Sequence, residues 1–277
     1  MTPIVLAAAC AALWGAADFC GGKASQRADA VAVTVVSQLW GLPVLALCLL
    51  LVPGVPTATD LAWGGVAGVA GFAGIALLYR ALAAGAMVAV APVTAVTAAL
   101  VPLGVGLLVD RSPGVVPLVG VGCAILAIAL VSAAPGERGG RVTPALIGLA
   151  LLAGALFGAF TALIGQSSTG AGMWSLAGAR LTSLAVGAFV LWRRRTPYRL
   201  PAGALPVVAV GGALDLAANA LYVAAAARGH LSVVAPIASL YPVSTVLLAL
   251  AVDRERLRIL QLAGLGLAVV ALVLTTA

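Results

Sequence analysis

Charge is what this sequence has least of: charged side chains make up 8% of its 277 residues, and histidine occurs once. A soluble domain carries about 25% charged residues, so the chain lacks the polar surface needed to dissolve in water. Disorder is excluded by the same scarcity, because disordered chains are charged and poor in apolar residues, whereas 63% of this one is hydrophobic. The four cysteines, Cys10, Cys20, Cys48 and Cys123, lie in or beside apolar stretches without metal-ligand spacing. They read as small core side chains, not as a disulfide framework. One histidine and a few acids supply no intramembrane metal site and no serine-protease base. Gly-x-Ser-x-Gly, His-Glu-x-x-His and the phosphate-binding P-loop are all missing, so neither an enzyme nor an ATP-driven pump is expected. The same reading predicts no catalytic residues, no metal and no cofactor. A filter-like repeat, the mark of an ion channel, is also lacking.

What the chain does have is apolar length. Its mean hydropathy is +1.19. A transmembrane helix needs roughly 20 apolar residues to cross about 30 Å of hydrocarbon. Apolar runs broken by charge, glycine or proline give ten such segments, at 3–22, 31–52, 61–83, 86–108, 114–133, 144–166, 171–192, 202–227, 230–251 and 257–276. The expectation is an all-α integral membrane protein with ten transmembrane helices. The N-terminal run has no basic region before it and is long enough to span, so it reads as an uncleaved first helix. A net charge of +7, from 15 Lys+Arg against 8 Asp+Glu, points to anionic lipid as partner and not to nucleic acid. Arg193, Arg194 and Arg195 read as an anchor to such headgroups.

The ten segments fall into two copies of five. Leu13-Trp14-Gly15-Ala16 returns as Leu156-Phe157-Gly158-Ala159, Tyr79 as Tyr222, and Val109-Asp110-Arg111 as Val252-Asp253-Arg254, each 143 residues later. Ala91-Pro92 and Gly120-Val121-Gly122 return 144 residues later as Ala235-Pro236 and Gly264-Leu265-Gly266. The halves are 1–134 and 143–277, joined by a polar linker at 135–142. Because five is odd, the second copy enters the bilayer upside down, giving the inverted repeats of secondary transporters, whose substrate sites lie near the midplane between the halves. Gly64, Gly68 and Gly71, and the pair Gly154 and Gly158, mark packing faces. Pro92, Pro102, Pro236 and Pro242 sit inside the fourth and ninth segments and are expected to bend them. Twelve of the 15 basic residues lie in the loops after odd-numbered helices. Arg111 and Arg228 lie on the other side and Arg180 within a helix, which places both termini outside the cytoplasm.

Ionisable groups inside hydrocarbon cost roughly 2.5 to 3.5 kcal/mol on insertion scales and need a reason. Asp18, Arg80, Arg180 and Asp215 stand out. Asp215 lies mid-way along the eighth segment, with Asn219 one turn and Tyr222 two turns further on the same face. Its partner in the repeat is Phe72, so the acid belongs to one copy only. Asp215 therefore reads either as a cation or proton site oriented by Asn219 and Tyr222, or as the structural partner of Arg180. Asp18, whose repeat partner is Thr161, reads as a second binding acid or as an interfacial acid paired with Lys23 or Arg80. Tyr79, the repeat partner of Tyr222, joins the candidates. His230 beside Arg228 reads as an interface residue.

Leu13-Trp14-Gly15, Ala91-Pro92, Val109-Asp110-Arg111 and the second copy of each resemble the drug/metabolite transporter superfamily, and within it the EamA family of ten-helix, two-repeat carriers. Val-Asp-Arg stands where that family usually has Gly-Glu-Arg. The resemblance implies movement of a small metabolite across the cell (inner) membrane. It also implies a first helix against the central pathway, where Trp14 would form an aromatic wall, and cytoplasmic termini, opposite to the charge count. The reading is a secondary active transporter of a small polar or cationic metabolite, working by alternating access, with proton coupling if Asp215 titrates. An uncoupled facilitator of amino acids or related metabolites is the near alternative. A lipid-linked-substrate flippase using Arg80 and Arg180 is the other. Two fused halves make a complete pathway in one chain, so a monomer is expected.

Overall fold

The structure, a computed structural model, describes residues 2–84, 87–109, 115–133, 142–164, 166–197, 199–226, 228, 237–238, 240–252 and 259–275. Helices dominate, and no strand occurs among the described residues. They are α1 (Thr2–Ser25), α2 (Ala30–Leu51), α3 (Ala58–Ala83), α4 (Met87–Val109), α5 (Val115–Ala133), α6 (Pro144–Ile164), α7 (Trp174–Arg194), α8 (Leu205–Ala226), α9 (Tyr241–Val252) and α10 (Ile259–Thr275), with one 3-10 turn at Thr169–Ala171. An apolar chain in lipid must satisfy its backbone polar groups internally, which a helix does within one segment. Among the described residues six helices, α1 to α3 and α6 to α8, are long and apolar enough to cross a membrane. This is a multi-pass helical membrane protein.

Helix ends follow local chemistry. Asp29 accepts from the Val31 and Ala32 backbone N–H groups at the start of α2, and Thr57 and Asp60 form a reciprocal capping box at the start of α3. Arg195 ends α7 in the left-handed conformation, φ 53°. Arg193 to Arg195 are exposed there, as an anchor to headgroups requires. Of the ninth expected segment, 230–251, residues 237–238 and α9 are helical, with a turn at Leu240 just ahead of Pro242, which stands in the first turn of α9. Pro92 and Pro102 lie within α4. Pro236, His230, Asp110, Arg111, Asp253, Arg254 and nearly all of the 135–142 linker lie outside the described residues.

The outer surface is apolar. Leu50, Leu51, Leu181, Phe189 and Trp192 are exposed, the arrangement expected where lipid is the solvent. Inside, the packing partners come in exchangeable pairs. α1 packs on α8 and α6 on α3; α2 on α8 and α7 on α3; α1 on α9 and α6 on α4. Adding five helices to each index, cyclically, converts the first member of each pair into the second. The crossings agree at the level of atoms. A Cβ on Gly15 of α1 would strike the Tyr241 carbonyl and the Ser244 Cβ of α9, and one on Gly158 of α6 would strike the Ala98 carbonyl and the Val101 Cβ of α4. Tyr241 and Ala98, and Ser244 and Val101, are each 143 residues apart. Without hydrophobic drive in lipid, close backbone approach supplies the helix attraction. Gly64 and Gly68 do the same against the Ser175 and Ala179 carbonyls of α7.

Candidate functional site

The interior polar groups sit where α1, α3, α7, α8 and α9 converge. Arg180 projects from α7 and is 8% exposed; its Nη2 donates to the Asp215 Oδ2 of α8 at 2.8 Å. Gly41 of α2 lies beside this guanidinium, whose carbon would be in ordinary contact, at 3.9 Å, with a Cβ on Gly41. One turn along α8, Asn219 Nδ2 donates to the Asp215 backbone carbonyl at 2.7 Å and to Asp215 Oδ1 at 3.3 Å. The carboxylate is therefore held from both sides, by a cation on the neighbouring helix and an amide on its own. Asp215 and Arg180 thus form the ion pair that one of the two readings of Asp215 supposes.

Asp18, half-buried on α1, is differently placed. Neither an ion pair nor a hydrogen bond links it to another described residue, so pairing with Arg80 is absent there; Arg80 is exposed near the end of α3. Asp18 lies within electrostatic reach of Asp215 and of Tyr241. Tyr79 is fully enclosed, with its ring over Gly21 of α1. Its hydroxyl is within hydrogen-bonding range of Ser37 of α2, and both acids are within its electrostatic reach.

Trp14 forms the centre of an aromatic group on α1. The ring of Tyr222 from α8 lies 5.6 Å away at 36°, and that of Tyr241 from α9 lies 6.2 Å away at 77°. Such tilted and edge-on pairs are favourable geometries for aromatic rings. Tyr222 thus faces Trp14, and no hydrogen bond joins it to Asp215 among the described residues, contrary to the orienting role expected for it. Trp14, Asp18, Tyr79, Arg180, Asp215, Asn219 and Tyr222 all border this region. Sequence reasoning missed Tyr241 and Thr245, whose Oγ1 donates to the Gly15 carbonyl at 3.1 Å. Tyr241 had a usable signal, since it follows the second copy of Ala-Pro in the ninth segment. Among the described residues no cluster of three His, Cys, Asp or Glu side chains is arranged to hold a metal ion.

The site is thus an ion pair and an aromatic group enclosed within a multi-pass helical membrane bundle. Residues 145–277 match the EamA-like transporter family, part of the drug/metabolite transporter superfamily. No curated protein matches the sequence. A solved structure, described only as the crystal structure of a protein, is similar over 98% of this chain and 95% of its own, with a TM-score of 0.62 at 16% identity. At that identity the likeness speaks for the fold alone, and it extends the fold across both halves.

Proposed function

We propose that the chain is a secondary carrier for a small polar or cationic metabolite, working by alternating access of two inverted five-helix halves, 1–134 and 143–277, in the cell membrane. The observation that carries this reading is the charge balance of the interior. Two acids, Asp18 and Asp215, lie within electrostatic reach of each other across α1 and α8, and among the described residues Arg180 is paired with Asp215 and no basic group with Asp18. An ionised Asp18 would leave one negative charge in excess among these groups, near Trp14, Tyr222 and Tyr241. A cation, or a proton, is the species that balances it, and aromatic faces attract cations once water is displaced.

The exchangeable packing pairs support the motion. Interfaces built on glycine–carbonyl crossings lack interlocking side chains, so one half can rock against the other around a site at the contact. Proton coupling follows if proton and substrate compete for the excess carboxylate. The flippase alternative has less behind it: Arg80 is exposed and Arg180 is occupied by Asp215, so the two arginines form no common phosphate site. The chain is complete as a monomer in this reading.

The test is thermal unfolding of the purified protein in detergent against amines, amino acids, sugars, organic acids and lipid headgroups. A ligand at 100 times its dissociation constant adds about 2.7 kcal/mol of stability. Stabilisation by a cation that disappears in Asp18→Asn supports the reading. Stabilisation by anions or lipid phosphates alone removes it. Uptake into liposomes at equal rates with and without a pH gradient removes the coupling and leaves the facilitator.

A further inference from the structure

The loop between α2 and α3 and the segment between α6 and α7 meet at one end of the bundle, and a single carboxylate ties them. Asp60, 2% exposed, accepts four hydrogen bonds. Within its own half they come from the Thr57 backbone N–H at 2.9 Å and the Thr57 hydroxyl at 2.8 Å. Across the halves they come from the Ser168 backbone N–H at 2.6 Å and the Ser168 hydroxyl at 3.0 Å. Beside it, the Val55 N–H donates to the Gly170 carbonyl at 3.0 Å. The backbones touch there as well. A Cβ on Gly54 would stand 2.7 Å from the Ala171 carbonyl oxygen, and Gly172, at φ +55°, turns the segment back beneath Pro53.

The residues in register with these two, at the other end of the bundle, form no such tie with each other. In the 143-residue register Ser168 corresponds to Ser25, at the end of α1, and Asp60 to Gly203, ahead of α8. The Ser25 hydroxyl oxygen is buried with no hydrogen-bond partner among the described residues, and a Cβ on Gly203 would meet nothing within 4 Å. The hydroxyl has survived where the acid it would donate to is missing. Leu200, from the loop holding Gly203, packs in the same apolar cluster as Ala24 and Ala28, so the corresponding loops do approach each other.

We infer that the Asp60–Ser168 contact is a latch: it holds the two halves together at the end where α2 meets α3 and biases the carrier toward the state closed at that end. The inference rests on the alternating-access reading. Bonds to a charged acceptor are the strong ones, and they act here between segments 108 residues apart. Opening this end requires all the cross-half bonds to break together.

Cys10 supplies the reporter. It is fully buried beside Trp14 and Tyr222, in the half of α1 nearer the latched end. With Cys20, Cys48 and Cys123 replaced by alanine, modification of Cys10 by a membrane-impermeant cationic thiosulfonate reads opening. Asp60→Ala should speed that modification at least about tenfold. Ser168→Pro is the second variant: Ser168 sits at φ −65°, which proline adopts. It removes both cross-half donors while leaving the Thr57–Asp60 cap of α3 intact, so fraying of α3 cannot account for its effect. Unchanged Cys10 modification in a folded Ser168→Pro protein overturns the latch. Solute flux is measured on the same proteoliposomes. Faster modification without flux of any screened solute supports the latch and counts against the carrier reading alone.

Discussion

Asp215 and Arg180 allow a prediction whose outcome differs for two changes to one ion pair. Removing one member of a buried pair leaves an uncompensated charge and costs about 3 to 5 kcal/mol. The lower end applies here, because the Asp215 side chain retains 19% exposure against 8% for Arg180. Asp215→Asn leaves the guanidinium stranded, and arginine cannot shed its proton in a protein. Arg180→Met leaves a carboxyl, which can take up a proton and become neutral, and adds an apolar side chain of suitable length. Asp215→Asn should therefore cost about 3 kcal/mol, a fall in melting temperature of about 6 to 12 °C for a chain of this size. Arg180→Met should cost clearly less. The double variant should lie well above the sum of the two, since no charge remains to be buried. The assay is tryptophan-fluorescence unfolding in detergent at one pH and salt concentration. Additive losses, or Arg180→Met falling further than Asp215→Asn, would refute the pair as a buried, mutually compensating unit.

Asp18→Asn removes a charge to which no described residue is bonded, so it should leave the melting temperature unchanged or raise it, while lowering cation-driven uptake at least about tenfold. A melting temperature that falls as for Asp215→Asn would show that Asp18 has a structural partner. Asn219→Ala loses one good hydrogen bond to the Asp215 carbonyl and should cost about 1 kcal/mol, read in the same unfolding assay. Gly15→Ala and Gly158→Ala should each lower stability by similar amounts, because the obstacle to a Cβ is backbone in both. Gly148→Ala and Gly266→Ala, where a Cβ meets nothing within 4 Å, should be neutral or add up to about 1 kcal/mol. Equal effects at all four glycines would refute the crossing argument.

How much could be read beforehand depended on whether the signal was local. α1 to α8 lie within a few residues of the expected apolar runs, because hydrocarbon length and helix rise fix the number of residues required. The ends are blurred by side-chain caps: α3 begins at Ala58, not 61, since Thr57-Ala-Thr-Asp60 caps it. Asp215 and Arg180 stood out because an ionisable residue in an apolar run is conspicuous by itself. Their pairing could be offered only as one of two readings, since it depends on how α7 and α8 are rotated about their axes. The tie from Asp60 to Ser168 had no signal at all. Both are ordinary loop and cap residues, and what joins them is the meeting of α3 with α6 and α7. Tyr222 was assigned to the face of Asp215 by helical spacing. Its ring packs on Trp14 of α1, a contact that depends on how α1 and α8 meet and that helical spacing alone does not give.

The two copies divide their labour along a line that the 143-residue register makes explicit. Where the copies agree in role, the residues build crossings: Gly15 with Gly158, and the Tyr241 carbonyl with that of Ala98. Where they differ, the difference is charge. Asp215 corresponds to Phe72, which is buried in an apolar cluster with Val31, Val35 and Leu191. Arg180 corresponds to Ser37, whose hydroxyl donates within its own helix to the Thr34 carbonyl at 3.0 Å. Asp18 corresponds to Thr161, likewise satisfied by the Phe157 and Gly158 carbonyls of α6. In each case the uncharged member is self-sufficient, so the scaffold does not need the charged one. A bundle that closes without these charges gains nothing in stability from Asp18, whose burial is unfavourable unless something binds to it. In the carrier reading proposed above the acid is accounted for by what it binds, and that reading puts the place to look for substrate at the contact of α1 with α8, near Trp14.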